Sequence, residues 1–288
     1  MADLILRAPA KINLTLEVLA RRDDGYHGVR SVMVPLELAD EMLVSPNPEF
    51  LFTCDRGELQ DESNLAVIAL RALGALPAIR MDLRKRIPVQ AGLGGGSSDA
   101  AAVLRAGMDG AFGPMPGRDW LATARSLGSD VPFFLAGTGA LVEGTGERVT
   151  PVGALPAWYV LVVKPPVAVS TAQAYRALDA SPRPQRPRDA SVSLAAVEAL
   201  QRADFERVES LLQNDFHEIA AGMPEIRTAL DALAGAGAKN ALLAGSGSCV
   251  FALAPDRARA EEIARRLDLR PSYERWVSAF APTPDWRA

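Results

Sequence analysis

Polar and apolar residues alternate along KINLTLEV (residues 11–18), which predicts a strand. Ile12, Leu14, Leu16 and Val18 share one face, assigned to the core, and Lys11, Asn13, Thr15 and Glu17 share the other. A turn, RRDDGYHG, follows at 21–28, and strand-like runs recur at 29–38, 41–45 and 80–87. Helical spacing marks 62–74, 118–127 and 97–112, the last with Ala101, Leu104, Met108 and Phe112 on one face. GTGALVEGTGERVTPV (137–152) has the glycine punctuation of a hairpin. The second half changes rhythm: a buried strand at 158–163, helices at 171–178, 192–201, 204–221 and 225–234, strands at 240–244 and 249–254, a helix at 256–267 and a strand at 273–280. That order suits a ferredoxin-like split βαβ layer. Pro151, Gly153 and Pro156 punctuate the boundary, giving units of 1–152 and 153–288, with the last strand or tail free to return to the first unit. A Pro/Arg-rich loop at 181–191 reads as a surface excursion.

Composition narrows the classes. The chain has 288 residues, 49% of them hydrophobic, and a formal net charge of −4, which argues against a general nucleic-acid or anionic-membrane binder. The short basic run Arg84-Lys85-Arg86 reads as a solvated strand face. Two distant cysteines, Cys54 and Cys249, make neither a disulfide framework nor a zinc pattern, and the two histidines, His27 and His217, exclude a His-rich metal site. The start, MADLILRAPAKINL, lacks the charged and long apolar regions of a signal peptide, and no apolar run reaches membrane-span length, so a cytoplasmic location is expected.

The chemistry concentrates in PVQAGLGGGSSDAA (Pro88–Ala101), where a strand enters a glycine-rich loop and a helix leaves it. Helix N-termini carry unpaired N–H groups, and glycines let a ligand approach the backbone, so the pattern suits a phosphate cradle. Ser97 and Ser98 can cap the helix, donate hydroxyls or touch a metal ion. Two standard nucleotide loops fail: no lysine follows the glycines as a Walker A loop requires, and Ser97 stands where the dinucleotide fingerprint needs glycine.

Three segments in order, APAKINLTLEV (8–18), PVQAGLGGGSSDAA (88–101) and LLAGSGSCVFAL (242–253), resemble the three motifs of the GHMP small-molecule kinases. The GLGGGSS form, the DGYH turn (24–27) and LGSDVPFFLAG (127–137) resemble a branch whose substrate bears a cytidine diphosphate group. The resemblance implies an α+β fold of two units, an N-terminal domain of the ribosomal-protein-S5 type and a ferredoxin-like C-terminal domain. It implies transfer of phosphoryl from ATP, with Mg²⁺, to a tertiary alcohol on a route to isoprenoid precursors.

Residue by residue, the resemblance makes Asp130 the base and Lys11 its cationic partner, and Asn13 shares Lys11's strand face by period-two geometry. It assigns Pro88, Gly92, Leu93, Gly94, Gly95, Gly96, Ser97, Ser98 and Asp99 to ATP. Tyr26 and His27 go to the nucleobase, Thr171 and Tyr175 to a second wall, and Gly245, Ser246 and Gly247 to the substrate's phosphates. Ser97, Ser98 and Asp99 are the candidate metal ligands, with the phosphates carrying the ion alone as the alternative. His217 reads as an ordinary helical residue. The partner is a small molecule, not nucleic acid or membrane, and the state is a monomer or homodimer. The rivals are a homoserine, mevalonate or sugar kinase of the same superfamily, a nucleotide-bound sensor without catalysis, and a Rossmann-type binder.

Overall fold

A computed structural model describes residues 3–22, 25–74, 76–181 and 191–281. The first half runs β1 (Leu4–Arg21), β2 (His27–Pro46), β3 (Leu51–Cys54), α1 (Leu65–Ala72), β4 (Ile79–Arg84), α2 (Gly95–Met108), α3 (Trp120–Leu127), α4 (Val131–Ala136), β5 (Ala140–Gly144) and β6 (Arg148–Pro151). The second half runs β7 (Tyr159–Lys164), α5 (Thr171–Ala180), α6 (Val192–Gln201), α7 (Phe205–Ser210), β8 (Gln213–Asn214), α8 (His217–Ala220), α9 (Pro224–Gly235), β9 (Ala241–Leu243), β10 (Val250–Ala254), α10 (Arg257–Arg266) and β11 (Glu274–Ala279).

β1 and β2 form a long antiparallel ribbon, and β2 continues unbroken through 39–40, where the sequence pattern suggests two strands. β4 flanks the C-terminal half of β2 and β5 its N-terminal half. The first sheet has the order β3-β4-β2-β1-β8, with β5 on β2 and β6 on β5. The second sheet, β11-β7-β10-β9, is antiparallel throughout; with its own four strands numbered in chain order it reads fourth, first, third, second, the ferredoxin-like arrangement that the order of elements predicts.

Three expectations need correction. The helix expected over 204–221 is two short helices separated by β8, which pairs in parallel with Thr15 and Leu16 of β1. The helix expected over 97–112 begins two residues earlier and ends at Met108, which is 49% exposed rather than packed in the core. In the Arg84-Lys85-Arg86 run the two arginines are exposed as expected, but Lys85 between them is buried and ion-paired with Asp40 and Asp99. Most of the 181–191 loop lies outside the described residues.

The core explains how the site is held. Both faces of β1 are buried, so Lys11, Asn13, Thr15 and Glu17 are as hidden as the apolar residues between them. One cluster joins Ile12, Leu14, Ala91 and Leu93 to Trp158, Leu242, Ala244, Cys249 and Phe251, so the two halves share apolar packing. Burying a leucine side chain such as Leu93 contributes about 1.5–3 kcal/mol, and here that energy fixes the glycine-rich loop to the second half.

Candidate active site

The glycine-rich loop leaves β4 and enters α2 through Gly94, the helix N-cap, at φ +74 and ψ +16, without a side-chain cap. Ser97 and Ser98 therefore lie in the first turn and do not cap it; the Ser98 amide donates to Gly94 O at 2.9 Å. The earlier amides of the turn have no partner within the helix and are available to an anion. No side chain is tolerated at Gly94: a Cβ would stand 2.8 Å from the Phe134 ring. Even Gln90, ahead of the glycines, takes a left-handed φ of 51°.

A second glycine turn, Gly245-Ser246-Gly247, lies between β9 and β10 and meets the first. The Cys249 amide donates to Ala91 O at 3.1 Å, and Asn214 Nδ2 donates to Leu243 O at 2.8 Å and Gly245 O at 2.7 Å. β8 thus has a task that helical periodicity hides: it carries the amide that shapes this turn.

Lys11 reaches from β1 to where the loops meet. Its amide donates to Leu93 O at 2.9 Å, and its ammonium donates to Asn13 Oδ1 at 2.8 Å. Asn13 donates to Ser31 Oγ, also at 2.8 Å, which fixes the orientation of its amide. Lys11 Nζ lies 3.6 Å from Asp130 Oδ2, and a Cβ added to Gly245 would come 3.2 Å from the same nitrogen. Asp130 precedes α4 and makes no cap with its side chain, which is 36% exposed toward the cleft. A half-exposed carboxylate beside a buried ammonium, with two amide-rich turns nearby, can accept a proton where negative charge is being transferred.

The cleft has a volume of about 1720 Å³, larger than a pocket for one small ligand and sufficient for two. Tyr26, which lines it, is 69% exposed. His27 stacks on Tyr175 with ring centroids 5.7 Å apart, and Tyr175 packs edge-on against Phe216. The His27 side chain is 8% exposed: Nδ1 lies 2.9 Å from Leu19 O and Nε2 2.9 Å from Asp179 Oδ1. Thr171 Oγ1 and Ser246 Oγ lie 2.9 Å apart, joining the start of α5 to the second glycine turn. The cleft is also lined by Leu59, Asp61, Asn64 and Leu65, a segment that sequence reasoning leaves without a role. His217 lies away from this cleft: Leu243 N approaches its Nδ1 at 3.3 Å, and burial pushes its pKa down. Asp99, near the end of the glycine motif, turns inward to Lys85.

No group of three or more His, Cys, Asp or Glu side chains suited to a metal ion occurs among the described residues. Of the candidate ligands, Ser97 and Asp99 line the cleft and Ser98 is fully buried; with one Asp99 oxygen taken by Lys85, they suit an ion carried by nucleotide phosphates but not a resident metal.

Comparison with known proteins bears on the fold and the family. Residues 64–138 match the profile of the GHMP kinases N terminal domain, and 196–271 that of the GHMP kinases C terminal. A homoserine kinase from Cytophaga hutchinsonii superposes with a TM-score of 0.69 over 98% of this chain and 96% of that one, at 19% identity, a likeness of fold. The fold is that of a GHMP kinase, and the chain belongs to this family of small-molecule kinases, which use ATP.

Nearer relatives are more specific. Proteins from Deinococcus radiodurans and Symbiobacterium thermophilum, both named 4-diphosphocytidyl-2-C-methyl-D-erythritol kinase, are each 41% identical, over 94% and 93% of this chain and 91% and 96% of theirs. A crystal structure of 4-(cytidine 5'-diphospho)-2C-methyl-D-erythritol kinase superposes with a TM-score of 0.78 at 37% identity, covering 96% of this chain and 98% of that one. The chain belongs to the 4-diphosphocytidyl-2-C-methyl-D-erythritol kinase family.

Proposed function

We propose that the protein transfers the γ-phosphoryl group of Mg·ATP to the C2 hydroxyl of 4-diphosphocytidyl-2-C-methyl-D-erythritol, in the cytoplasm, on the methylerythritol phosphate route to isoprenoid precursors. The observation that carries this reading is the Lys11–Asp130 pair, 3.6 Å apart, set between two glycine turns in one cleft. The amides of residues 92–97 take the triphosphate, with Ser97 toward the ion that it carries. Asp130 accepts the hydroxyl proton as the oxygen–phosphorus bond forms. A strong base is not needed, because the transition state is loose. Lys11 offsets charge on the phosphoryl group in flight, and Asn13 holds the ammonium in place.

The second glycine turn, with Thr171 beside it, holds the diphosphate of the acceptor. Tyr26 stacks on the cytosine and Tyr175 closes the opposite wall. Recognition of the base edge by His27 requires Nε2 to exchange its contact with Asp179 for the base.

The test is ADP release with Mg·ATP and the cytidylyl substrate, run beside Asp130→Asn, with mevalonate and homoserine as alternative acceptors. The expected result is turnover of the cytidylyl substrate alone and a kcat lowered about 10²-fold or more in the variant, the scale of general-base removal. Turnover of homoserine or mevalonate instead would transfer the assignment to another branch. An Asp130→Asn enzyme with normal kcat would remove Asp130 from the reaction.

A further inference from the structure

Beneath the glycine-rich loop lies a second acid–lysine constellation that the proposed chemistry leaves unused. Lys85 follows the end of β4, Asp40 stands within β2 and Asp99 sits in the first turns of α2. Their side chains are 5%, 0% and 2% exposed. The Lys85 ammonium pairs with Asp40 Oδ2 and, at 2.7 Å, with Asp99 Oδ2. The other oxygen of Asp40 accepts the amides of Arg86 and of Ile87, the latter at 2.8 Å.

These contacts fall at both ends of one segment. Asp40 fixes residues 86 and 87, where the chain turns into the loop, and Asp99 fixes the helix that the loop enters. Lys85 joins the two. The ammonium lies against the loop itself, because a Cβ on Gly95 would come 3.3 Å from Nζ. Asp99 Oδ1 is buried and has no hydrogen-bond partner among the described residues.

Stability does not account for such a cluster. Removing three ionisable groups from water is costly, and apolar side chains of similar volume often do as well or better. What apolar packing cannot supply is a directional tie across the mouth of a bare loop. A triphosphate cradle needs its amides held in place before the ligand arrives.

We propose that Asp40, Lys85 and Asp99 form a positioning network that holds the two ends of the phosphate loop and so sets affinity for the nucleotide. The inference rests on residues 92–97 being the nucleotide loop. None of the three residues touches the reacting atoms, so the network acts on ATP affinity more than on the acceptor or on kcat.

Binding of Mg·AMPPNP by calorimetry, without acceptor, tests it on the wild type, Lys85→Met, Lys85→Arg and Asp99→Asn. Lys85→Met is expected to weaken binding at least tenfold and to raise the KM for ATP in proportion, with the acceptor KM changed less than twofold. Lys85→Arg recovers part of the loss. Lys85→Met leaves two buried carboxylates without their partner and can fail to fold, so near-isosteric Asp99→Asn is the second probe, with an expected loss of about fivefold. A folded Asp99→Asn protein that binds Mg·AMPPNP as the wild type does overturns the proposal. So does a Lys85 variant that loses ATP and acceptor affinity equally while its melting temperature falls in step, the mark of a purely structural role. Because the readout needs no acceptor, a wild type that binds Mg·AMPPNP but phosphorylates no cytidylyl substrate refutes the assigned reaction, not the network.

Discussion

Gly92→Ala asks whether the cleft depends on two glycine turns meeting backbone to backbone. Gly92 sits at φ +76, where a side-chain-bearing residue costs about 1–2 kcal/mol. The added methyl would stand 1.9 Å from Ala244 O, 2.9 Å from Ala244 C and 3.1 Å from Gly247 N. Carbon and carbonyl oxygen come no closer than about 3.3 Å even in favourable C–H···O contacts, so the turns must part by more than about 1 Å. All three obstructing atoms are backbone, so no rotamer change relieves the clash. The bond from Cys249 N to Ala91 O at 3.1 Å and that from Lys11 N to Leu93 O at 2.9 Å bracket the site and share the strain. Adding the backbone strain to one such bond, at about 1 kcal/mol, gives a destabilisation of about 2–3 kcal/mol. A misplacement of about 1 Å costs on the order of 10²-fold in rate. Calorimetry and ADP release should therefore show a melting temperature lower by roughly 5 °C or more and a kcat/KM lower by about 10²-fold. Gly235→Ala is the control: the site is exposed in α9, has an ordinary φ and has nothing within 4 Å of an added Cβ, so it should be neutral or stabilising by about 0.5–1 kcal/mol. A Gly92→Ala enzyme with wild-type stability and wild-type kcat/KM would refute the idea that this contact sets the geometry.

Two further predictions follow from single side chains. Tyr26→Ala should weaken the cytidylyl substrate by about 1–3 kcal/mol in KM with little change for ATP, as for loss of one stacked base, and an unchanged acceptor KM would end the stacking role. Asp99 is pushed up to about 7, chiefly by burial and further by the like charge of Asp40, against the pull of Lys85. The folded protein then holds a proton that the unfolded chain has already released above its ordinary value of 3.8, so this group makes stability fall as pH rises from about 4 to 7. Urea titrations at pH 5 and pH 7 should show that fall in the wild type and a smaller one in Asp99→Asn; equal slopes would mean that Asp99 does not titrate there.

Much of the fold was legible because its signals are local. The period-two run in β1 put Lys11 and Asn13 on one face, and the structure joins them at 2.8 Å. The strand and helix order of the second half gave the ferredoxin-like sheet without reference to any relative. Two of the misses share one cause, which is partners far away in sequence. A two-residue strand inside a helical pattern leaves no periodic trace, and β8 exists because β1, some two hundred residues earlier, offers it an edge. Lys85 looked solvated because its neighbours are Arg84 and Arg86, while the two carboxylates that allow its burial lie 45 and 14 residues away. The contact of His27 with Asp179 crosses from β2 to α5 and is equally invisible to a local reading.

The same pair of residue types, lysine and aspartate, appears twice around one loop, and environment separates their roles. At Lys11–Asp130 the lysine is buried and the acid is 36% exposed, at a looser 3.6 Å. That carboxylate can move, meet a hydroxyl and return a proton to solvent. At Lys85 the acids are buried, Asp40 held at both oxygens and Asp99 at one, and the lysine pKa is raised because two carboxylate charges outweigh its desolvation. A group that neither moves nor meets solvent cannot turn over a proton in each cycle, but it can hold a loop still. One pair therefore faces the reacting hydroxyl while the other stands behind the amides, and a catalytic lysine–aspartate pair is recognised here by exposure and slack rather than by the tightness of its contact.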